Sequence, residues 1–223
     1  LAYILNIETA TKNCSVAIAK NGKTVLCKEI SEQGYSHAEL LHVFIEDILK
    51  ETNVAFHDLQ AIAISKGPGS YTGLRIGVSS AKGLCYALGI PLIAIDTLTI
   101  LAHQIKVESG LIIPMIDARR MEVYSAIFNS NVEKIRDVEA EILSEVSFTS
   151  FNETLHFIGD SNEKAKSVLT KSNFVFHDAN VFPSANEMSS LSYSKYQNQD
   201  FEDVAYFEPY YLKDFFITSK KTI

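Results

Sequence analysis

The chain has 223 residues, 47% of them hydrophobic and 21% charged, with 10 glycines, 5 prolines and 3 cysteines. That length fits one large domain or two small lobes. The composition excludes a disordered chain, a collagen-like repeat and a disulfide scaffold: apolar side chains are plentiful, and Gly, Pro and Cys are few. Twenty basic residues stand against 27 acidic ones, a net charge of −7, split as −1 over residues 1–100 and −6 over residues 101–223. Nucleic-acid affinity comes mainly from cations that neutralise phosphates. Basic residues adjoin only in the pairs Arg119-Arg120 and Lys220-Lys221, so the isolated chain is expected to bind RNA or DNA poorly. No apolar run reaches the roughly 20 residues that span a bilayer. Leu1-Ala2-Tyr3-Ile4 lacks the basic start of a signal peptide, and Cys14, Cys27 and Cys85 are odd in number and widely spaced. A cytoplasmic protein without membrane contact is expected.

The first third reads as three strands. Tyr3–Ile7 is apolar and ends at Glu8; Ser15–Ala19 follows; Asn21-Gly22 signals a two-residue hairpin into Thr24–Cys27. Ser36-His37-Ala38-Glu39 has the form of a capping box. Leu40, Leu41, Phe44, Ile45, Ile48 and Leu49 then repeat at helical period, with Glu39, His42, Glu46 and Lys50 opposite. Ala61–Ser65 is a buried strand that enters Gly67-Pro68-Gly69-Ser70-Tyr71-Thr72-Gly73. A helix from about Thr72 to Leu88 stops at Gly89, Pro91–Ile95 is a strand, and Thr97 to about Ile105 a further helix.

The second half repeats this order less clearly. Leu111–Ile116 ends at Asp117 as Ile7 ends at Glu8, and Val123–Phe128 with a strand near Val132–Val138 forms a second hairpin. His156–Gly159 reads as a strand, Asn162–Leu169 as a helix, Phe174–Phe176 as a strand and Glu187–Tyr196 as a helix. The expectation is an α/β fold of two lobes, each a βββαβαβα unit, the second abbreviated. Residues 1–105 make the N-terminal lobe and residues 106–206 the C-terminal lobe. The aromatic-rich tail, 207–223, docks on the first.

The glycine loop sits between a strand and a helix, where phosphate loops also sit. It lacks the Gly-Lys-Ser/Thr close of a Walker loop, since it ends Gly73-Leu74-Arg75, and Thr72 stands where a dinucleotide fingerprint needs its third glycine. A tight turn exploiting glycine dihedrals explains it better. Within the helix, Gly73, Gly77, Ser80, Leu84 and Ala87 share one face, and four of these are small. Such a stripe admits a second helix backbone at close range, from this chain or another. Leu74, Val78, Ala81 and Cys85 form the neighbouring stripe that faces the sheet.

His37 and His42 are five apart, about 140° around a helix, whereas zinc helices place histidines four apart; no metal site and no catalytic nucleophile is expected. Glu8, Thr9 and Thr11 after the first strand, with Asp117 after its counterpart, are weak candidates for holding ATP or ADP with Mg between lobes. The alternative is that these carboxylates cap turns or pair with Arg119 or Arg120.

The string Lys66-Gly67-Pro68-Gly69-Ser70-Tyr71-Thr72-Gly73-Leu74-Arg75-Ile76-Gly77 resembles the signature of the TsaB (YeaZ) family. Ile7-Glu8-Thr9-Ala10-Thr11, Ser36-His37-Ala38-Glu39-Leu40-Leu41, Asp117-Ala118-Arg119 with Glu122-Val123-Tyr124, and Pro209-Tyr210-Tyr211-Leu212-Lys213 agree with it. The resemblance implies a two-lobed fold of the actin, Hsp70 and sugar-kinase (ASKHA) type. It also implies a non-catalytic scaffold or activator in forming N6-threonylcarbamoyladenosine at tRNA position 37. The implied partners are a TsaD-like transferase, a TsaE-like ATPase, a second copy of the chain through the same helices, and tRNA only within the complex. The implied partner face comprises Ser36, His37, Leu40, Leu41, Phe44, Gly73, Arg75, Ile76, Gly77, Ser80 and Gly83, and nucleotide with Mg would sit at the partner interface. Glu8 departs from the family's usual Asp. The alternatives are a glycoprotease-like peptidase, which needs a metal or a nucleophile with its base, and a small ATP-dependent kinase, which needs a phosphate loop.

Overall fold

A computed structural model describes residues 1–31 and 37–212. Its ten strands form two sheets of five. The first holds β1 (Tyr3–Glu8), β2 (Cys14–Lys20), β3 (Lys23–Ile30), β4 (Leu59–Ser65) and β5 (Leu92–Ile95) in the order β3-β2-β1-β4-β5. The second holds β6 (Leu111–Asp117), β7 (Glu122–Asn129), β8 (Lys134–Ile142), β9 (Leu155–Ile158) and β10 (Phe174–His177) in the order β10-β9-β6-β7-β8. Both sheets therefore repeat one topology, an antiparallel three-strand meander extended by two strands parallel to the first. Asn21 and Gly22 have φ of 50° and 80°, the left-handed pair that a tight hairpin needs.

Five helices cover the sheets: α1 (His37–Thr52), α2 (Tyr71–Leu88), α3 (Thr97–Ala102), α4 (Asn162–Lys166) and α5 (Ala185–Gln197). The period-2 alternation of β1 sends Leu5 and Ile7 to one face and Ile4 to the other. On the first face they meet Leu41, Ile45 and Ile48 of α1 and Val78 and Ala81 of α2. On the second, Ile4, Ala17, Ala63 and Ile93 meet Ala185 and Met188 of α5. α3, which follows the first sheet in sequence, packs Leu98, Leu101 and Ala102 against Ile112, Ile116 and Phe128 of the second. Strands thus divide between Ile95 and Leu111, while α3 and α5 cross that division and tie the two sheets together.

Residues 143–154 occupy the place that α1 fills in the first half, but as turns without a helix, with Leu143 and Phe148 supplying the cover. The strand expected near Val132–Val138 runs instead from Lys134 to Ile142, because Val132 sits in the preceding turn at φ 60°. The helix expected to reach Ile105 ends at Ala102, and the one expected over Asn162–Leu169 ends at Lys166. Glu29 fastens α5 to the first sheet: one carboxylate oxygen accepts from Ser184 at 2.6 Å, Ser15 at 3.1 Å and Asn13 at 3.2 Å. Residues 201–212 return across the first lobe. Glu202 bridges β5 through Leu92, Lys82 of α2 donates to the carbonyls of Ala205 and Phe207, and the Tyr210 amide donates to the Lys66 carbonyl. Among the described residues no helix is long and apolar enough to cross a membrane.

Candidate functional site: the glycine loop and the helix pair

The strand β4 leads through Lys66–Ser70 into α2, whose N-terminus is capped by Ser70 accepting from the Gly73 amide. This end of α2 is occupied by the chain itself. Ser70 N donates to the Ala10 carbonyl at 2.6 Å, and a Cβ on Gly69 would collide with that same carbonyl. Gly67, at φ 111°, lies under the Tyr210 backbone, where a Cβ would come within 2.6 Å of the carbonyl oxygen. The glycines let the turn after β1 and the returning tail both close on the loop.

The α2 stripe divides in two. Gly73 and Gly77 are buried against Thr9, whose Oγ1 donates to the Gly73 carbonyl at 2.8 Å; a Cβ at either glycine would overlap Thr9. Together with Leu41, fully buried in the core beneath α1, these two glycines are therefore internal and do not belong to a partner face. The close approach read from the small residues is real, but it is made by the turn after β1 within the same chain. His37 is also turned inward: its Nε2 lies 2.7 Å from the Thr11 carbonyl, and its ring edge touches the Gly73 position. Ser36 lies outside the described residues.

The rest of the expected face is open. α1 and α2 run side by side in the same sense, joined at Ser80 Oγ and His42 Nε2, 3.3 Å apart. Leu40 and Phe44 of α1 and Ile76 and Leu84 of α2 are half-buried, packed against the core of the first sheet. Arg75 and Gly83 are exposed, and nothing lies within 4 Å of a Cβ at Gly83. Sequence reasoning missed the most exposed apolar members, Val43 at 48% and Tyr86 at 86%. Their positions on the outward side of α1 and α2 were the available signal. Arg75 stacks over Tyr71, which packs on Tyr211 of the tail at 5.0 Å between ring centres.

Three of the four residues considered for nucleotide turn into the protein. Glu8 is fully buried, with Oε1 accepting from the Ala10 amide at 2.5 Å and Oε2 without a partner among the described residues. Burial pushes its carboxyl up to about 7, with the Ala10 amide opposing. Thr9 is spent on Gly73, and Thr11 is buried with its hydroxyl near the Asn13 amide. Asp117 alone is accessible, and it pairs with Lys164 rather than with Arg119 or Arg120 side chains. Of this set only Asp117 offers an exposed carboxylate to a Mg-nucleotide. Asp160 lies two residues past the end of β9. It accepts from the Asp117 amide at 2.8 Å, and burial lifts it to about 6 while Lys164 and Lys12 of the other lobe pull it down. A separate polar cavity of about 750 Å³ opens beside Glu29, Gln104, Phe182 and Glu187 at the start of α5.

The family described as TsaD, tRNA N6-adenosine threonylcarbamoyltransferase, matches residues 25–214. A TsaB protein of Escherichia coli, named for tRNA threonylcarbamoyladenosine biosynthesis, is 28% identical over 95% of this chain and 94% of its own length. YeaZ from Pseudomonas aeruginosa superposes with a TM-score of 0.81 at 26% identity, covering 95% of this chain and all of that one. This chain belongs to that family, on its TsaB (YeaZ) branch. A Bacillus subtilis TsaB is 37% identical over 56% of the chain, a match that spans about half of that relative's length (54%). The TsaB fold is thus the two-lobed α/β arrangement that the ASKHA resemblance implies, with one topology used twice.

Proposed function

We propose that this TsaB chain acts in forming N6-threonylcarbamoyladenosine on tRNA as a non-catalytic scaffold, by presenting the α1–α2 face to a TsaD-like transferase in the cytoplasm. The carrying observation is what the two helices leave uncovered: half-buried Leu40, Phe44, Ile76 and Leu84, with exposed Val43, Arg75, Gly83 and Tyr86 on the same helices. Aromatic and arginine side chains around an apolar centre are what protein interfaces use as anchors. The inward-turned Glu8, Thr9 and Thr11 favour a scaffold over the kinase alternative. A second copy of the chain competes for the same face, a TsaE-like ATPase joins the assembly, and tRNA is met within it, in keeping with the net charge of −7.

The test is threonylcarbamoyl transfer to tRNA by the cognate transferase and ATPase, with this chain present, omitted, or replaced by Val43→Glu. Transfer should require the chain and fall with Val43→Glu, while the variant alone keeps wild-type thermal stability. Full transfer without the chain would end the scaffold reading. Full transfer with Val43→Glu would move the interface elsewhere.

A further inference from the structure

His156 on β9 and His177, the last residue of β10, lie on the same face of parallel neighbouring strands, since His177 is opposite Ile158, two residues beyond His156. Their rings are tilted by 42° and meet nitrogen to nitrogen, His156 Nδ1 to His177 Nε2, at 3.0 Å. The other nitrogen of His156, Nε2, is 3.1 Å from the Ser109 carbonyl. A carbonyl only accepts, so Nε2 carries the hydrogen and Nδ1 presents a bare lone pair toward His177. His177 Nε2–H donates into it. Burial, with His156 alongside, holds His177 below the usual imidazole range against the opposing charge of Asp178.

We propose that His156 and His177 form a two-imidazole site for a divalent transition ion, Zn²⁺ or Ni²⁺. Zinc takes neutral imidazole nitrogens at about 2.0–2.1 Å, which puts two tetrahedral ligands roughly 3.3 Å apart. The pair at 3.0 Å opens by a few tenths of an ångström, and each ring turns by roughly 35° so that both lone pairs converge on the ion. The Ser109 carbonyl already makes the outer hydrogen bond that orients a ligating histidine and fixes its tautomer. For His177 to ligate, its Nε2 hydrogen moves through solvent to its own Nδ1, so both rings stay neutral and the proton count is unchanged. Asp178 is adjacent but committed, its oxygens accepting from Lys166 at 2.5 Å and Asn162 at 3.4 Å. Among the described residues no group of three His, Cys, Asp or Glu converges on an ion. Water therefore completes the coordination, and the site is open on one side. A bound ion would pin the edge strand β10 to β9 and, through Ser109, to the segment entering β6. This site is independent of the proposed partner face.

Calorimetry with ZnCl₂ and with NiCl₂ on the full chain tests this, alongside His156→Gln, His177→Gln and His57→Gln, the last a control whose side chain is 85% exposed. Wild type should take one equivalent, each of the first two substitutions should weaken it on the order of tenfold or more, and the control should not change it. Absence of heat in wild type, or undiminished affinity in His177→Gln, would overturn the site. If a variant fails to fold, Ni²⁺ added to the wild type gives a second reading by NMR. Selective broadening of the His156 and His177 ring signals supports the site, and broadening confined to other histidines refutes it.

Discussion

Thr9 occupies the space that a side chain on Gly77 would need, while its hydroxyl holds the carbonyl of Gly73 one turn earlier at 2.8 Å. One residue of the turn after β1 therefore dictates two glycines in α2. The same helix carries Gly83 with nothing around it, so the two kinds of glycine answer differently to substitution.

Gly77→Ala should destabilise the chain by about 1–3 kcal/mol, because the new methyl meets Thr9 and the Ile64 side chain in a packed interior. Gly83→Ala should stabilise it by about 0.5–1 kcal/mol, since an exposed helical glycine only adds backbone entropy to the unfolded state. Urea denaturation of both variants decides this. Equal effects would mean that α2 does not sit on the turn after β1.

Glu8 makes stability depend on pH. Its folded pKa of about 7 exceeds the ordinary value near 4.5, so its contribution is fully present below pH 4.5 and lost as pH rises through 7. The buried carboxyl has to ionise without a counter-charge. Glu8→Gln keeps an oxygen for the Ala10 amide and removes the ionisation. The variant should gain about 1–3 kcal/mol over wild type at pH 8 and little at pH 5. Denaturation curves at the two pH values measure it, and a pH-independent difference would contradict the assignment.

Lys82 fastens the returning tail through hydrogen bonds of 3.2 and 2.8 Å to Ala205 and Phe207. Lys82→Met preserves the aliphatic stem and removes both bonds, at a cost of about 1 kcal/mol given the partial exposure. Hydrogen exchange should quicken at the Glu202 and Tyr210 amides, which bond Leu92 and Lys66, and stay unchanged in β1. Uniform exchange across both regions would show that the tail is not held there.

Tyr86→Ala and Gly83→Phe should each lower affinity for a TsaD-like partner by roughly tenfold or more, the range of a central aromatic anchor. Circular dichroism melts of the isolated variants should match wild type, because neither position is packed within the chain. Undiminished co-purification would place the partner elsewhere. Gly77→Phe is unsuited to this purpose, since it disrupts the monomer.

Period alone determined much of the fold in this sequence. The stripe Leu41, Ile45, Ile48 and Leu49 is buried under α1, with Glu39, His42, Glu46 and Lys50 exposed. Leu74, Val78, Ala81 and Cys85 face the sheet from α2. Asn21-Gly22 and Gly89 stand at the turns their residue types demand. These features are local, so they are written in neighbouring residues. What only the tertiary structure decided are contacts between distant ones. A stripe of small residues announces close approach but not by what, and here Thr9, 64 residues from Gly73, fills it. An acid at a strand end reads as a ligand until the chain around Glu8 closes over it. Likewise α3 and α5 each pack on the sheet of the opposite half, which no local pattern specifies, because the apolar face of a helix does not encode which apolar sheet will cover it.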